Sequence, residues 1–124
     1  MEREGAALLW HKIVCRAPAG KVTFGRPAYG HLLCCAPRVR TEPAQSTADV
    51  LPEAGAMTWA RAIGTRACEL ACRFIAEHTA TRTVVDPFCG VGTVLAVANA
   101  QGLDAVGVEL NRKRAERARH LTLP

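Results

Sequence analysis

Val84-Val85-Asp86-Pro87-Phe88-Cys89-Gly90-Val91-Gly92-Thr93 is the stretch that decides the fold. Two β-branched residues close a short apolar run at the carboxylate of Asp86, and Pro87 disfavours helix at the residue before it. Gly90 and Gly92, one residue apart, can turn the chain through backbone angles that other residues avoid. After Thr93 the run Val94-Leu95-Ala96-Val97-Ala98 is helical in character. It continues to about Gln101, where Gly102 suits the position just past a helix end. Strand, glycine turn, helix is the unit that brings backbone N–H groups close to a small ligand at the carboxyl end of a parallel strand.

Downstream, residues 104–109 read as a second strand ending on Glu109, and Asn111 is a good N-cap for a final helix over 112–121. That helix carries Arg112, Lys113, Arg114, Arg117 and Arg119, with Ala115, Ala118 and Leu121 as its inward stripe. Upstream, Ile63, Ala67, Leu70, Ala71, Phe74 and Ile75 recur at helical steps, which predicts a helix over 58–77; Gly64 leaves its first turn open. A strand–helix–strand crossover of this length implies parallel strands in an α/β sheet.

Farther upstream, residues 7–15 and 31–36 read as two strands, paired most simply as antiparallel neighbours across the Gly- and Pro-bearing loop 16–30. Residues 37–57 hold Pro37, Pro43 and Pro52 among polar residues and read as a surface linker. The expected organisation is therefore a strand pair over 1–36, a linker over 37–57 and helix–strand–helix–strand–helix over 58–124, all parts of one domain.

The 124 residues suit one domain with a small core. No apolar run is long enough for a membrane span, and no signal-type stretch follows Met1, so the chain reads as cytoplasmic. The net charge is +5, and 13 of the 16 basic residues are arginine. A guanidinium can grip two phosphate oxygens, so this balance suits nucleic acid, although arginine usage alone could also reflect base composition. Cys15, Cys34, Cys35, Cys68, Cys72 and Cys89 form no C-x-x-C pair and the four histidines are scattered. The cysteines read as small apolar residues in a reducing compartment, and no metal site is expected.

The chemistry follows from Asp86 before the glycines and Glu109 on the next strand. Dinucleotide folds also place an acid there for ribose hydroxyls, but they need a third glycine where this chain has Leu95. A carboxylate leading the loop repels a pyrophosphate and attracts a cation. No G-K-[ST] follows, so a P-loop is excluded. The site asks for a ligand with an amino group at one end and a ribose at the other.

Asp86-Pro87-Phe88-Cys89-Gly90-Val91-Gly92-Thr93 resembles the first motif of class I S-adenosylmethionine-dependent methyltransferases, in the form typical of those that methylate amino groups of DNA or RNA bases. Val106-Gly107-Val108-Glu109-Leu110-Asn111 is similar to the following motif. The resemblance implies a Rossmann-like methyltransferase fold with S-adenosyl-L-methionine as cofactor. It implies that Asp86 holds the methionine amino end through the loop Pro87, Phe88, Cys89, Gly90, Gly92 and Thr93. Glu109 would accept from the ribose hydroxyls, and Leu110 would flank the adenine. Cys89 reads as packing in the loop rather than as a nucleophile.

The chain order resembles the permuted amino-methyltransferases, with Trp10-His11-Lys12, Arg26-Pro27 and His31-Leu32-Leu33 in the intervening segment. By the same resemblance, the start of the helix from Thr58 would contact the methionine carboxylate. These enzymes also need a [DNS]-P-P-[YFW]-like tetrapeptide that holds the target amino group, and the sequence has none, so the catalytic residue is unknown. The fold is accordingly expected to be incomplete: the C-terminal part of a permuted methyltransferase from a truncated reading frame. Its partners would be DNA or RNA and an upstream-encoded polypeptide that completes the sheet. A non-catalytic S-adenosylmethionine-binding remnant or subunit is the alternative, and a nicotinamide-dependent oxidoreductase piece is a third, which Leu95 and Asp86 disfavour.

Overall fold

The computed structural model describes residues 5–37, 46–59 and 62–123. The chain divides into two compact units, Met1–Glu53 and Ala54–Pro124.

In the first unit, β1 (Ala7–Cys15) pairs antiparallel with β2 (Tyr29–Ala36). The register shifts between Leu8 and Trp10, a one-residue bulge. The hairpin was expected, but β2 begins two residues earlier than the apolar run suggests, because Arg16 N–H donates to the Ala28 carbonyl at 2.7 Å and draws the pairing down to Tyr29. The segment 37–57, expected to be a linker, holds a third strand where it is described. β3 (Val50–Leu51) lies parallel to β1, with Ile13 opposite Val50 and Val14 opposite Leu51; residues 38–45 lie outside the described residues. Lys12 explains the strand. Its side chain is only 3% exposed, and its ammonium donates to the carbonyls of Thr47 (3.2 Å) and Ala48 (2.9 Å) while Asp49 stands 3.7 Å away. A buried ammonium must have its donors satisfied, and Lys12 obtains this by fastening the segment before β3 to β1.

The second unit runs α1 (Thr65–His78), β4 (Thr83–Asp86), α2 (Thr93–Ala100), β5 (Asp104–Gly107) and α3 (Arg112–His120). This is the expected order, and β4 and β5 are parallel, with Val84 opposite Ala105 and Val85 opposite Val106. Val84 and Ala105 turn to the core, where Cys68, Cys72, Val97, Ala98 and Leu103 are buried together. The two cysteines of α1 thus serve as small core residues. α2 ends in a Schellman motif. Gly102, at φ 80°, donates to the Asn99 carbonyl (3.0 Å), Leu103 donates to Ala98 (2.9 Å), and the Leu103 side chain enters the core.

α1 starts at Thr65, not at 58, and the reason is a backbone crossing. Gly64 is the N-cap and offers no side-chain oxygen. The first N–H groups are taken instead by the chain upstream: Thr65 donates to the Ala56 carbonyl (3.0 Å), Arg66 to Ala54 (2.9 Å) and Ala67 to Ala54 (3.4 Å). The crossing needs two glycines. A Cβ on Gly64 would collide with the Ala54 carbonyl, and one on Gly55, at φ 85°, would stand 2.5 Å from the Arg66 nitrogen. No helix among the described residues is long and apolar enough to cross a membrane.

Two outcomes follow. Gly64→Ala forces main chain apart at the crossing and lowers unfolding free energy in urea by about 1–3 kcal/mol; a loss below about 0.5 kcal/mol would count against the crossing. The Cys68 thiol is pushed up to about 12, first by burial and then by Cys72, Asp86 and Glu69. Between about pH 9 and 12 the unfolded chain therefore loses a proton that the folded chain retains, and stability falls by at most about 1.4 kcal/mol per pH unit. Urea unfolding at pH 8 and pH 10 is expected to show a smaller alkaline loss for Cys68→Ala than for the unaltered chain.

Candidate functional site

β4 and β5 carry two carboxylates to one end of the sheet. Asp86 is the last residue of β4, and its Oδ1 accepts the Phe88 N–H at 3.0 Å across Pro87. Beyond β5 the pairing goes on. Val108 N–H donates to the Asp86 carbonyl (2.9 Å), and the Val108 carbonyl accepts from Cys89 (3.0 Å). Glu109, expected to close the strand, stands two residues past its end at Gly107, in the turn to α3. There its Oε1 accepts the Asn111 N–H at 2.7 Å. Each acid thus has one oxygen fixed by a backbone N–H two residues ahead, and its second oxygen has no partner among the described residues.

Between them the glycine turn is built as the sequence requires. Gly90 and Gly92 have φ of 55° and 90°, Gly92 N–H donates to the Cys89 carbonyl (2.8 Å), and Gly92 is the N-cap of α2 with no side-chain cap. Gly90, Val91, Gly92 and Thr93 are buried, while Pro87 and Phe88 are exposed. Thr93 Oγ1 shares a 2.5 Å hydrogen bond with Thr58 Oγ1. A Cβ on Gly92 would stand 2.9 Å from that of Ala118, so the glycine lets α3 lie against the loop; one on Gly90 would stand 3.3 Å from the Trp59 ring. Asn111 caps α3, its Oδ1 accepting the Arg114 N–H at 3.1 Å.

The Cys89 thiol is pushed up, first by burial and then by the charges of Asp86 and Glu109. A nucleophilic cysteine needs the opposite. The sulfur also packs against β5. A Cβ on Gly107 would stand 2.7 Å from that sulfur and 2.5 Å from Leu95 Cδ1. Gly107 was not singled out from the sequence, although a glycine inside a strand signals just such a close approach.

The structure brings Asp86, the glycine turn, Thr93 and Glu109 together, with Phe88 and Leu110 as exposed apolar side chains at the same strand ends. Thr58, from which the carboxylate-contacting helix was expected to run, stands at the turn through its hydrogen bond to Thr93, while α1 itself begins at Thr65. The N–H groups of Thr65, Arg66 and Ala67 are already bound to Ala56 and Ala54. Among the described residues no three His, Cys, Asp or Glu side chains cluster as metal ligands.

A family model described as DNA methylase, of N6/N4 type, matches residues 66–120, which contain both motifs. No curated protein matches the chain significantly. Among solved structures, TTHA0409 from Thermus thermophilus, a candidate DNA modification methylase complexed with S-adenosyl-L-methionine, is 22% identical with a TM-score of 0.62. That match covers 94% of this chain and 53% of the other. M1.HpyAVI, in complex with SAM, is 14% identical with a TM-score of 0.63, over 94% of this chain and 62% of the other. These likenesses establish an α/β methyltransferase fold, incomplete in that the chain spans only a little over half the length of the structures it matches. By its two motifs and by its fold, the chain is similar to the S-adenosylmethionine-dependent methyltransferases of the DNA amino-methyltransferase type.

Proposed function

We propose that the loop Asp86–Thr93 together with Glu109 and Leu110 holds S-adenosyl-L-methionine, and that the chain supplies the cofactor half of a methyltransferase acting on an amino group of a nucleic-acid base. The observation that carries this reading is the pair of pre-oriented carboxylates on either side of a buried glycine turn at the ends of two parallel strands. Two acids suit a ligand that presents an amino group and ribose hydroxyls, and repel the pyrophosphate of a dinucleotide. Asp86, steadied by Phe88 N–H, receives the amino end. Gly90 and Gly92 keep side chains off the loop so that its backbone can approach. Glu109 accepts from the ribose, while Phe88 and Leu110 give the adenine apolar surface that water now covers. Pro87, Cys89 and Thr93 hold the loop in shape. Bound there, the cofactor supplies an electrophilic methyl group on a sulfonium, so the protein has chiefly to hold and align the reactants.

The residues that present the target amino group belong, in this proposal, to an upstream-encoded polypeptide. Among the described residues β4 pairs with β5 alone. The side of this sheet away from the core exposes Val85 (63%) and Val106 (52%), with Val108 (50%) just beyond. Parallel strands are normally covered on both faces, and a strand laid along the other edge of β4, with a helix over these valines, meets that need. The exposed Arg112, Lys113, Arg117 and Arg119 of α3 suit DNA or RNA as the substrate. The absence of the target-holding tetrapeptide supports a second reading, a cofactor-binding remnant or subunit without activity of its own.

Calorimetric titration is expected to show binding of S-adenosylmethionine in preference to NAD. Asp86→Asn and Glu109→Gln keep the local N–H contacts but remove the charge, and each is expected to weaken binding by about 1.5–3 kcal/mol. Unchanged isotherms for both would sink the assignment. With labelled cofactor and DNA or RNA, the chain alone is expected to transfer no methyl group, and the upstream-encoded polypeptide to restore transfer. Turnover by the chain alone would refute the need for a partner, and none by the pair would favour the remnant.

A further inference from the structure

The glycine turn has an aromatic cover and, on it, a cation. The Trp59 indole stands against Gly90, with Cζ2 at 3.3 Å and Cε2 and Nε1 at 3.8 Å from where a Cβ would be. The Arg114 guanidinium lies over the same ring, 5.0 Å from its centroid. Both residues are held from outside the pair. The Thr58–Thr93 hydrogen bond fixes the segment that carries Trp59, and the Asn111 cap together with the Ala118–Gly92 contact sets α3 so that Arg114, one turn before Ala118, reaches the ring.

A guanidinium stacked on an indole is oriented by the ring and keeps its N–H edge for another group. Among the described residues no carboxylate takes that edge. Glu116, the acid of α3, is engaged by Arg119 (3.3 Å) and His120 (3.2 Å). The side chains already assigned to the site with a charge, Asp86 and Glu109, are both negative. A ligand ending in an amino acid also brings a carboxylate, which those two repel. The first N–H groups of α1 are consumed by Ala54 and Ala56.

We propose that Arg114, seated on the Trp59 indole beside Gly90, binds the carboxylate of the amino-acid end of the ligand, with Trp59 as its positioning residue. The assignment rests on the cofactor reading above and deepens it. It gives the site one group for each charge of the amino-acid end: Asp86 for the ammonium and Arg114 for the carboxylate. A planar, two-pronged donor also makes the site selective for ligands that retain the carboxylate.

The test is calorimetric titration of the full chain with S-adenosylmethionine and with its decarboxylated analogue, which lacks only the carboxylate. The unaltered chain is expected to bind the first about tenfold or more tightly than the second. Arg114→Gln is expected to raise the Kd for S-adenosylmethionine by a similar factor and to leave that of the analogue within about twofold. Trp59→Leu should act in the same direction, and Trp59→Phe should restore most of the affinity by returning a ring. Thermal melts of each variant separate a folding defect from a binding one. Equal weakening toward both ligands, or an unchanged Kd for S-adenosylmethionine in Arg114→Gln, would overturn the assignment. An unaltered chain that binds the two ligands equally overturns Arg114 alone. One that binds neither overturns the cofactor reading and this assignment with it.

Discussion

Val108 is bound through both of its backbone polar groups, giving its N–H to the Asp86 carbonyl and taking the N–H of Cys89 on its own carbonyl. Those two hydrogen bonds carry the pairing of β4 and β5 past the point where regular strand ends. Without them the turn after Asp86 and the turn after Gly107 would be separate loops. With them, Cys89 is held between the two turns, and the charges of Asp86 and Glu109 both add to the upward push on its thiol that burial begins. The closeness then sets demands elsewhere: Gly107 must lack a Cβ because Cys89 and Leu95 occupy its space, and Gly92 because Ala118 does. The glycines of this region therefore act less as hinges than as places where other chain comes too near for a side chain.

What the sequence revealed of this site is what is local. Asp86 before Pro87, the two glycines of the turn, Gly102 past α2 and Asn111 before α3 each announce a conformation through their own chemistry, and the structure shows each turn or cap they foretell. What it concealed depends on partners distant in the chain. The start of α1 moved to Thr65 because carbonyls of Ala54 and Ala56 take the N–H groups that a capping side chain would otherwise take, and no periodicity records that. β3 was hidden for a similar reason: two residues of strand are too short for any pattern, and they exist because Lys12, on a neighbouring strand, needs oxygen for its buried ammonium. Gly107 and the Trp59–Arg114 pair were legible only in part, as a glycine in a strand and as one more arginine in a basic helix.

The strands themselves carry a further argument. In β4 and β5 the core-facing Val84 and Ala105 alternate with Val85 and Val106, so both faces of this small sheet are apolar. An edge sheet with one wet face would place polar residues at 85 and 106, as β4 does at Thr83 and β5 at Asp104 where the pair begins. Apolar side chains on both faces are the pattern of strands from the interior of a doubly covered sheet. Left open, such a face, beside a strand edge that has no partner among the described residues, invites unspecific association, the hazard that edge strands usually meet with charge or proline. No charge or proline guards the sequence Thr83-Val84-Val85 before Asp86. The valines and the two acids thus make one case from opposite directions. The acids are held as if the site were finished, and the valines are placed as if more of the sheet were to come.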